Sequence, residues 1–144
     1  MKDGCSLHFV TALRIMEVIM KNKNIIESFK NASQGVWYTV VKERNMKIHL
    51  AAAAFVILLA LWLGVSKIEL TILCMTIALV ICCELINTAM EVMVDIIVDV
   101  YHPRAKIIKD VSSGAVFVSA FFSIAIGGII LFDKLIHKIM VFIK

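Results

Sequence analysis

The sequence predicts an all-α membrane protein, with three transmembrane helices preceded by an N-terminal amphipathic surface helix, and three observations carry that prediction. Of the 144 residues 61% are hydrophobic, the mean hydropathy is +0.94 and there is a single proline, a composition foreign to soluble domains and to disordered chains alike. A helix needs roughly 20 apolar residues to cross a bilayer, and three stretches of that length lie between residues 48 and 132. Ahead of them, apolar residues recur at helical spacing among aromatic and basic ones. Within lipid every backbone polar group must be satisfied inside its own segment, so such stretches become helices. No length is left for a separate soluble domain, and any chemistry falls to the membrane helices, their ends and the amphipathic segment.

Residues 1–23 are expected to be an N-terminal extension. Its apolar patch, Leu7 to Met20, is interrupted by Arg14 and Glu17, which makes it too short and too charged for a span, and it lacks the small-residue cleavage site of a signal peptide. Met20 offers a second plausible beginning. Residues 24–144 form the membrane domain. From 24 to 47, Ile25, Ile26, Phe29, Ala32, Val36 and Val40 recur at helical spacing, with Trp37 and Tyr38 beside Lys30, Lys42 and Arg44. That pattern describes a helix lying in the headgroup plane. Glu43, at its end, works against binding to anionic lipid unless it has a partner.

The spans follow at about 48–66, 70–98 and 111–132, the first two separated by the polar turn Lys67 to Glu69. At ~1.5 Å per residue the second is about 45 Å long, more than the ~30 Å hydrocarbon layer, so one end projects into water. His102-Pro103 ends it, and a loop to Asp110 carries Arg104, Lys106 and Lys109. On the third span Ala115, Ser119, Ser123 and Gly127 recur every fourth residue, a stripe that permits close helix contact in a bundle or oligomer. Eight basic residues precede the first span and three lie in the 99–110 loop, against one in the 67–69 turn and three in the tail. The excess places the N-terminus and that loop in the cytoplasm of a multi-pass inner-membrane protein. With no aromatic-rich basic module, the net charge of +4 points to anionic lipid headgroups and not to nucleic acid. Cys74, Cys82 and Cys83 share one span, far from Cys5, and are read as buried apolar thiols.

The second span carries a polar stripe. At about 100° per residue Glu91 and Asp95 lie about 20° to either side of Glu84, and Asn87 about 60° away, so all four share one helix face. Glu84 falls about 21 Å from the start of the span and Glu91 about 31 Å, which immerses the first and wets the second. Ionisable groups at membrane depth face protein or a wet cavity and are read first as functional. The chain has no Walker loop, no G-x-G-x-x-G and no zinc-ligand spacing. It does offer oxygen ligands. Mg²⁺ takes one or two carboxylates together with phosphate oxygens, which Glu43 and Glu91 can supply. Lys109, with Lys106 or Arg104 behind it, can offset the charge of a transferring phosphate, and Glu84 can act as general base on a membrane-dissolved alcohol. The same stripe also fits interhelical contacts or the ion path of a non-enzymatic channel or transporter subunit.

The run E-L-I-N-T-A-M-E-V-M-V-D at 84–95, followed by H-P-R-A-K-I-I-K-D at 102–110 and S-S-G-A-V at 112–116, resembles the bacterial integral-membrane diacylglycerol kinase and undecaprenol kinase family. F-K-N-A-S-Q-G at 29–35 and E-R-N-M-K-I-H at 43–49 are similar to its surface helix and first span. The resemblance covers roughly residues 25–132. It implies an ATP-dependent lipid kinase, a homotrimer with sites shared between protomers, in which Glu84 is the catalytic base and Glu43 and Glu91 hold the Mg²⁺ of ATP. It further implies that Asp95, Tyr101, His102, Lys109 and Asp110 line the nucleotide site, and that Asn87 and Ser113 support the reacting groups. His102-Pro103 and E-R-N at 43–45 look more like the undecaprenol branch, with diacylglycerol as the alternative substrate. Asn24 and Asn31 stand nearest to the positions where the diacylglycerol branch has an arginine and a tyrosine reaching the nucleotide. A chain beginning at Met20 is expected to insert and to phosphorylate lipid like the full chain; normal insertion with lost transfer would make the extension part of the enzyme.

Overall fold

The apolar stretches fold as helices because lipid offers their backbone no partners. A computed structural model of the chain describes residues 25–98, 100 and 102–143. Among these residues it contains α1 (Ile25–Lys42), α2 (Arg44–Leu63), α3 (Lys67–Ile97) and α4 (Pro103–Ile143), and no strand. The extension 1–23, Cys5, Asn24 and Tyr101 lie outside the described residues. Helices α2, α3 and α4 are each long and apolar enough to cross a membrane.

The chain divides after Trp37. In the first unit, α1 opens with Glu27 in its first turn, where a carboxylate complements the helix dipole. Ile25, Ile26, Phe29 and Trp37 along it are exposed, as the apolar face of a surface helix is. The second unit starts at Tyr38, in the last turns of α1. The sequence suggested a surface helix to residue 47, but the helix stops at Lys42, because Glu43 is extended (φ −90°, ψ 124°) and begins α2. The Lys47 ammonium donates to the Val41 carbonyl at 2.8 Å. It thereby satisfies one of the carbonyls that the end of α1 leaves unpaired.

The α2–α3 connection is specified residue by residue. Gly64 is left-handed (φ 69°), a conformation costly for any residue with a Cβ. Its N–H reaches the Leu61 carbonyl and that of Val65 reaches Ala60, each at 3.2 Å; this is the Schellman pattern that closes a helix. Ser66 then caps α3: its hydroxyl accepts from the Glu69 N–H at 3.3 Å, while its own N–H donates to Glu69 Oε2 at 2.6 Å. Lys67 to Glu69, expected as a turn, are therefore the first turn of α3. Likewise residues 103–110, expected as a loop, are the start of α4. Pro103, expected to end the second span, does not do so: α3 stops at Ile97, with Val98 extended (φ −122°, ψ 99°), and Pro103 is instead the first residue of α4, where its missing N–H costs nothing.

Helix α4 packs mainly along α3, and α2 lies against both. Ala60, Leu63, Leu73 and Leu131 form a core at the α2–α3 turn end, with Val65 and Leu70 packed on it. Within the small-residue stripe Ser119 is buried and a Cβ added at Gly127 would touch Leu73, so part of the stripe faces the inside of the chain. Cys74 and Cys82 are exposed and Cys83 half-buried, against the expectation of buried thiols. Lipid tails are as apolar as a protein core, so a thiol is accommodated equally well facing either. At the same end Lys134 pairs with Glu69 at 3.2 Å and Lys138 donates to the Trp62 carbonyl at 2.7 Å. Ser66→Ala is expected to lower stability by about 1 kcal/mol through loss of the capping box, and Lys134→Met by less, the ion pair being partly exposed. Thermal midpoints in detergent check the order; a larger loss for Lys134→Met would contradict it.

Candidate active site

The polar stripe of α3 is present as a gradient of burial. Glu84 is 1% exposed and Asn87 5%; Glu91 is half-buried and Asp95 exposed. The order follows from pitch, since each step of three or four residues moves the same face about 5 Å toward one end. Glu84 is held in the bundle by its own helix. The Thr88 hydroxyl, also buried, donates to the Glu84 carbonyl oxygen at 3.0 Å. Oε2 of Glu84 is buried with no hydrogen-bond partner among the described residues. Buried polar atoms in native proteins are nearly always paired, and an exception calls for a physical explanation.

The charges that act on the Glu84 carboxyl are those of His49, Glu43 and Glu91. Two expected site residues, Glu43 and Glu91, are thus brought beside the third. Glu43 is half-buried at the start of α2, and its side chain caps nothing there, so its carboxylate stays available to a ligand. Glu91 accepts from Asn87 Nδ2 at 3.0 Å through Oε1. Asn87 Oδ1 in turn accepts from the Ser112 hydroxyl of α4 at 2.8 Å. One turn earlier on α4, Lys109 forms an ion pair with Asp95. At such partial exposure the pair contributes little to stability, and it can be exchanged for another anion.

The remaining expected residues are less engaged. His102 is exposed and its Nδ1 accepts from the Arg104 N–H at 3.2 Å, helping to open α4. Asp110 and Ser113 are exposed and enter no contact with the stripe. Three residues were not anticipated from sequence. Ser112 sits three positions after Lys109 and so on the same face of α4, a spacing that can be read in advance. His49 is recognisable only once α2 is laid beside α3. Lys42 adjoins Glu43 at the break between helices, its ammonium 5.3 Å over the Tyr38 ring. It is held above its ordinary pKa first by a hydrogen bond to Tyr38, with the carboxylates of Glu43 and Asp95 adding to the effect.

As a metal site the donor set is sparse. Among the described residues no three His, Cys, Asp or Glu side chains form a group able to hold a metal. Two carboxylates, one with an oxygen already tied by Asn87, fit Mg²⁺ shared with phosphate oxygens better than a cation held by protein alone. An open groove of about 570 Å³ runs between α2, α3 and α4 from His49 past Thr76 and Ser123 to Leu135, with an otherwise apolar lining that includes none of the site carboxylates.

Comparison with known proteins bears on what such a site does. A family model described as prokaryotic diacylglycerol kinase matches residues 30–131. The chain is 42% identical over 109 residues to the undecaprenol kinase of Bacillus subtilis, covering 76% of this chain and 89% of that protein. It is 39% identical over 114 residues to a diacylglycerol kinase of Synechocystis sp., covering 78% and 65%, and 32% identical over 110 residues to that of Haemophilus influenzae, covering 76% and 93%. The matched regions contain the whole α3 stripe and the start of α4, which removes the channel or transporter alternative: the chain belongs to the prokaryotic diacylglycerol kinase family and is a lipid kinase.

Proposed function

We propose that the chain transfers the γ-phosphoryl group of ATP to the hydroxyl of a membrane lipid alcohol, undecaprenol first and diacylglycerol second. The observation that carries this is the buried, unpartnered carboxylate oxygen of Glu84, on the same helix face as carboxylates that reach water. A lipid hydroxyl can come to Glu84 from the hydrocarbon side, and a nucleotide to Glu91 and Asp95 from the cytoplasm. Glu84 takes the proton as the lipid oxygen attacks the γ-phosphorus and ADP leaves. Glu43 and Glu91 would hold Mg²⁺, which would supply charge neutralisation for the transferring group. Lys109 leaves Asp95 for the phosphates, and Asn87 keeps Glu91 in place. His102 and Asp110, with Tyr101 and Ser113, are assigned to the nucleotide and substrate margins of the site. The apolar groove that opens beside His49 has the chemistry to hold a hydrocarbon chain.

The enzyme is proposed to be a homotrimer with sites shared between protomers, its N-terminus and the 99–102 connection on the cytoplasmic face of the inner membrane, where anionic headgroups meet the basic residues. Undecaprenol is favoured by the resemblance at 43–45 and 102–103 and by the similarity to the Bacillus subtilis protein, although diacylglycerol kinases match nearly as well.

Glu84→Gln is expected to lower transfer by at least about 100-fold while Mg-ATP still binds. Glu91→Gln should weaken Mg-ATP binding as well as slow transfer. Rates and nucleotide binding, measured on the same preparations, check the division; equal loss of ATP binding in both variants would contradict it. With both lipids in one bilayer at matched mole fraction, kcat/KM is expected to favour undecaprenol. Apolar contacts discriminate by only about 1–3 kcal/mol each, so some diacylglycerol phosphorylation accompanies it. A preference for diacylglycerol reverses the substrate and leaves the kinase intact.

A further inference from the structure

The hydroxyl of Ser112 has one proton and two acceptors within reach, Asn87 Oδ1 at 2.8 Å on the facing helix and the Lys109 carbonyl at 3.0 Å in its own. The second is the ordinary local bond of a serine in a helix. The first decides what Asn87 does. An ionised carboxylate only accepts hydrogen bonds, so the Asn87 amide must turn its NH₂ toward Glu91, and its carbonyl oxygen then faces α4. Asn87 is buried, no solvent takes over that oxygen, and Ser112 is the donor the structure provides. With the amide turned the other way, its oxygen would lie against the Glu91 carboxylate. The Ser112 proton therefore fixes the amide, and the amide holds Oε1 of Glu91 at 3.0 Å, a bond in which Oε2 takes no part.

Ser112 also hangs from the turn of α4 that carries Lys109, whose ammonium pairs with Asp95 of α3. The two cross-helix contacts start three residues apart on α4 and end eight residues apart on α3, at Asn87 and Asp95, and both tie the same two helices together, one reaching the carboxylate assigned to the metal and the other the ammonium assigned to the phosphates.

We propose that Ser112 is a positioning residue for phosphoryl transfer: through Asn87 it orients the Glu91 carboxylate toward Mg²⁺. The inference rests on the assignment of Glu91 as a metal ligand, and the two can fail separately. Partners that orient a metal ligand affect metal affinity more than they affect chemistry once the metal is in place. A contact that merely joined two helices would lower stability and all kinetic constants together.

The test uses the full chain in mixed micelles with Mg²⁺, ATP and lipid varied in turn. Ser112→Ala is expected to raise the half-saturating Mg²⁺ concentration about tenfold, with kcat at saturating Mg²⁺ and the lipid KM changed by less than about twofold. Ser112→Thr, which restores a hydroxyl, should return the Mg²⁺ dependence to within about twofold of the parent chain. If Ser112→Ala does not fold, Ser112→Cys, with only a weak S–H donor, takes its place with the same shift expected. In the background of Glu91→Gln, Ser112→Ala should add no further shift, since both act through one carboxylate. An unchanged Mg²⁺ dependence in Ser112→Ala, a fall in kcat and lipid affinity alike, failure of the threonine to rescue, or additivity with Glu91→Gln would each overturn the inference. If Glu91→Gln itself leaves the Mg²⁺ dependence unchanged, the metal assignment of Glu91 fails instead.

Discussion

A carboxyl group held inside a bundle of membrane-spanning helices is the constraint from which the rest of the site follows. Glu84 lies on the face of α3 turned toward the other helices, where neither water nor headgroups reach it. An ionised group in such surroundings is costly unless it is compensated. Here His49 of α2 and the carboxyls of Glu43 and Glu91 are the groups whose electrostatics act on it, and none of them hydrogen-bonds to Oε2. A stability role would favour completing the shell, and Oε2 remains unpartnered among the described residues. In the proposed reaction that oxygen is the one that meets the hydroxyl of the substrate.

The geometry of α3 solves a problem of two solvents. The acceptor of a lipid kinase dissolves in the membrane and its donor in the cytoplasm, and the reacting atoms must meet between them. A helix face that steps by three and four residues runs continuously from one medium to the other. The stripe from Glu84 to Asp95 covers about 16 Å along the axis, roughly the distance from membrane depth to the wet interface. The 31-residue length of α3 is what carries it there. Helix α4 runs beside the stripe and contributes Lys109 and Ser112 to it.

What was legible in the sequence was periodic. Three spans, an amphipathic helix ahead of them, and the shared face of Glu84, Asn87, Glu91 and Asp95 all follow from residue spacing, and the structure has a helix at each predicted place, three of them long and apolar enough to cross a membrane. What was not legible depended on caps or on neighbours in space. Hydropathy locates an apolar stretch, whereas Ser66, Gly64 and Pro103 decide where a helix begins or ends, and so residues 67–69 and 103–110 belong to helices and not to connections. The cysteines were misjudged because apolar character no longer marks the inside when the outside is lipid. His49 carries no pattern of its own and gains meaning only beside Glu84, whereas Ser112 shares a face of α4 with Lys109 by spacing but finds its partner, Asn87, only in the fold.

Phosphoryl transfer asks little covalent chemistry of a protein, being governed by position and by charge, which is how so short a chain can perform it without a nucleotide-binding fold. The same economy implies that a single chain does not supply every contact. His102, Asp110 and Ser113 stand exposed on α4 and its approach, outside the network that joins Ser112, Asn87 and Glu91. An exposed carboxylate and hydroxyl on the helix that carries Lys109 are of use to a nucleotide only if something completes the other wall of its site. A second protomer set against α4 would provide that wall. The proposed trimer then rests on the incompleteness of the single-chain site more than on the small-residue stripe that first suggested it, since Ser119 of that stripe is already buried within the chain.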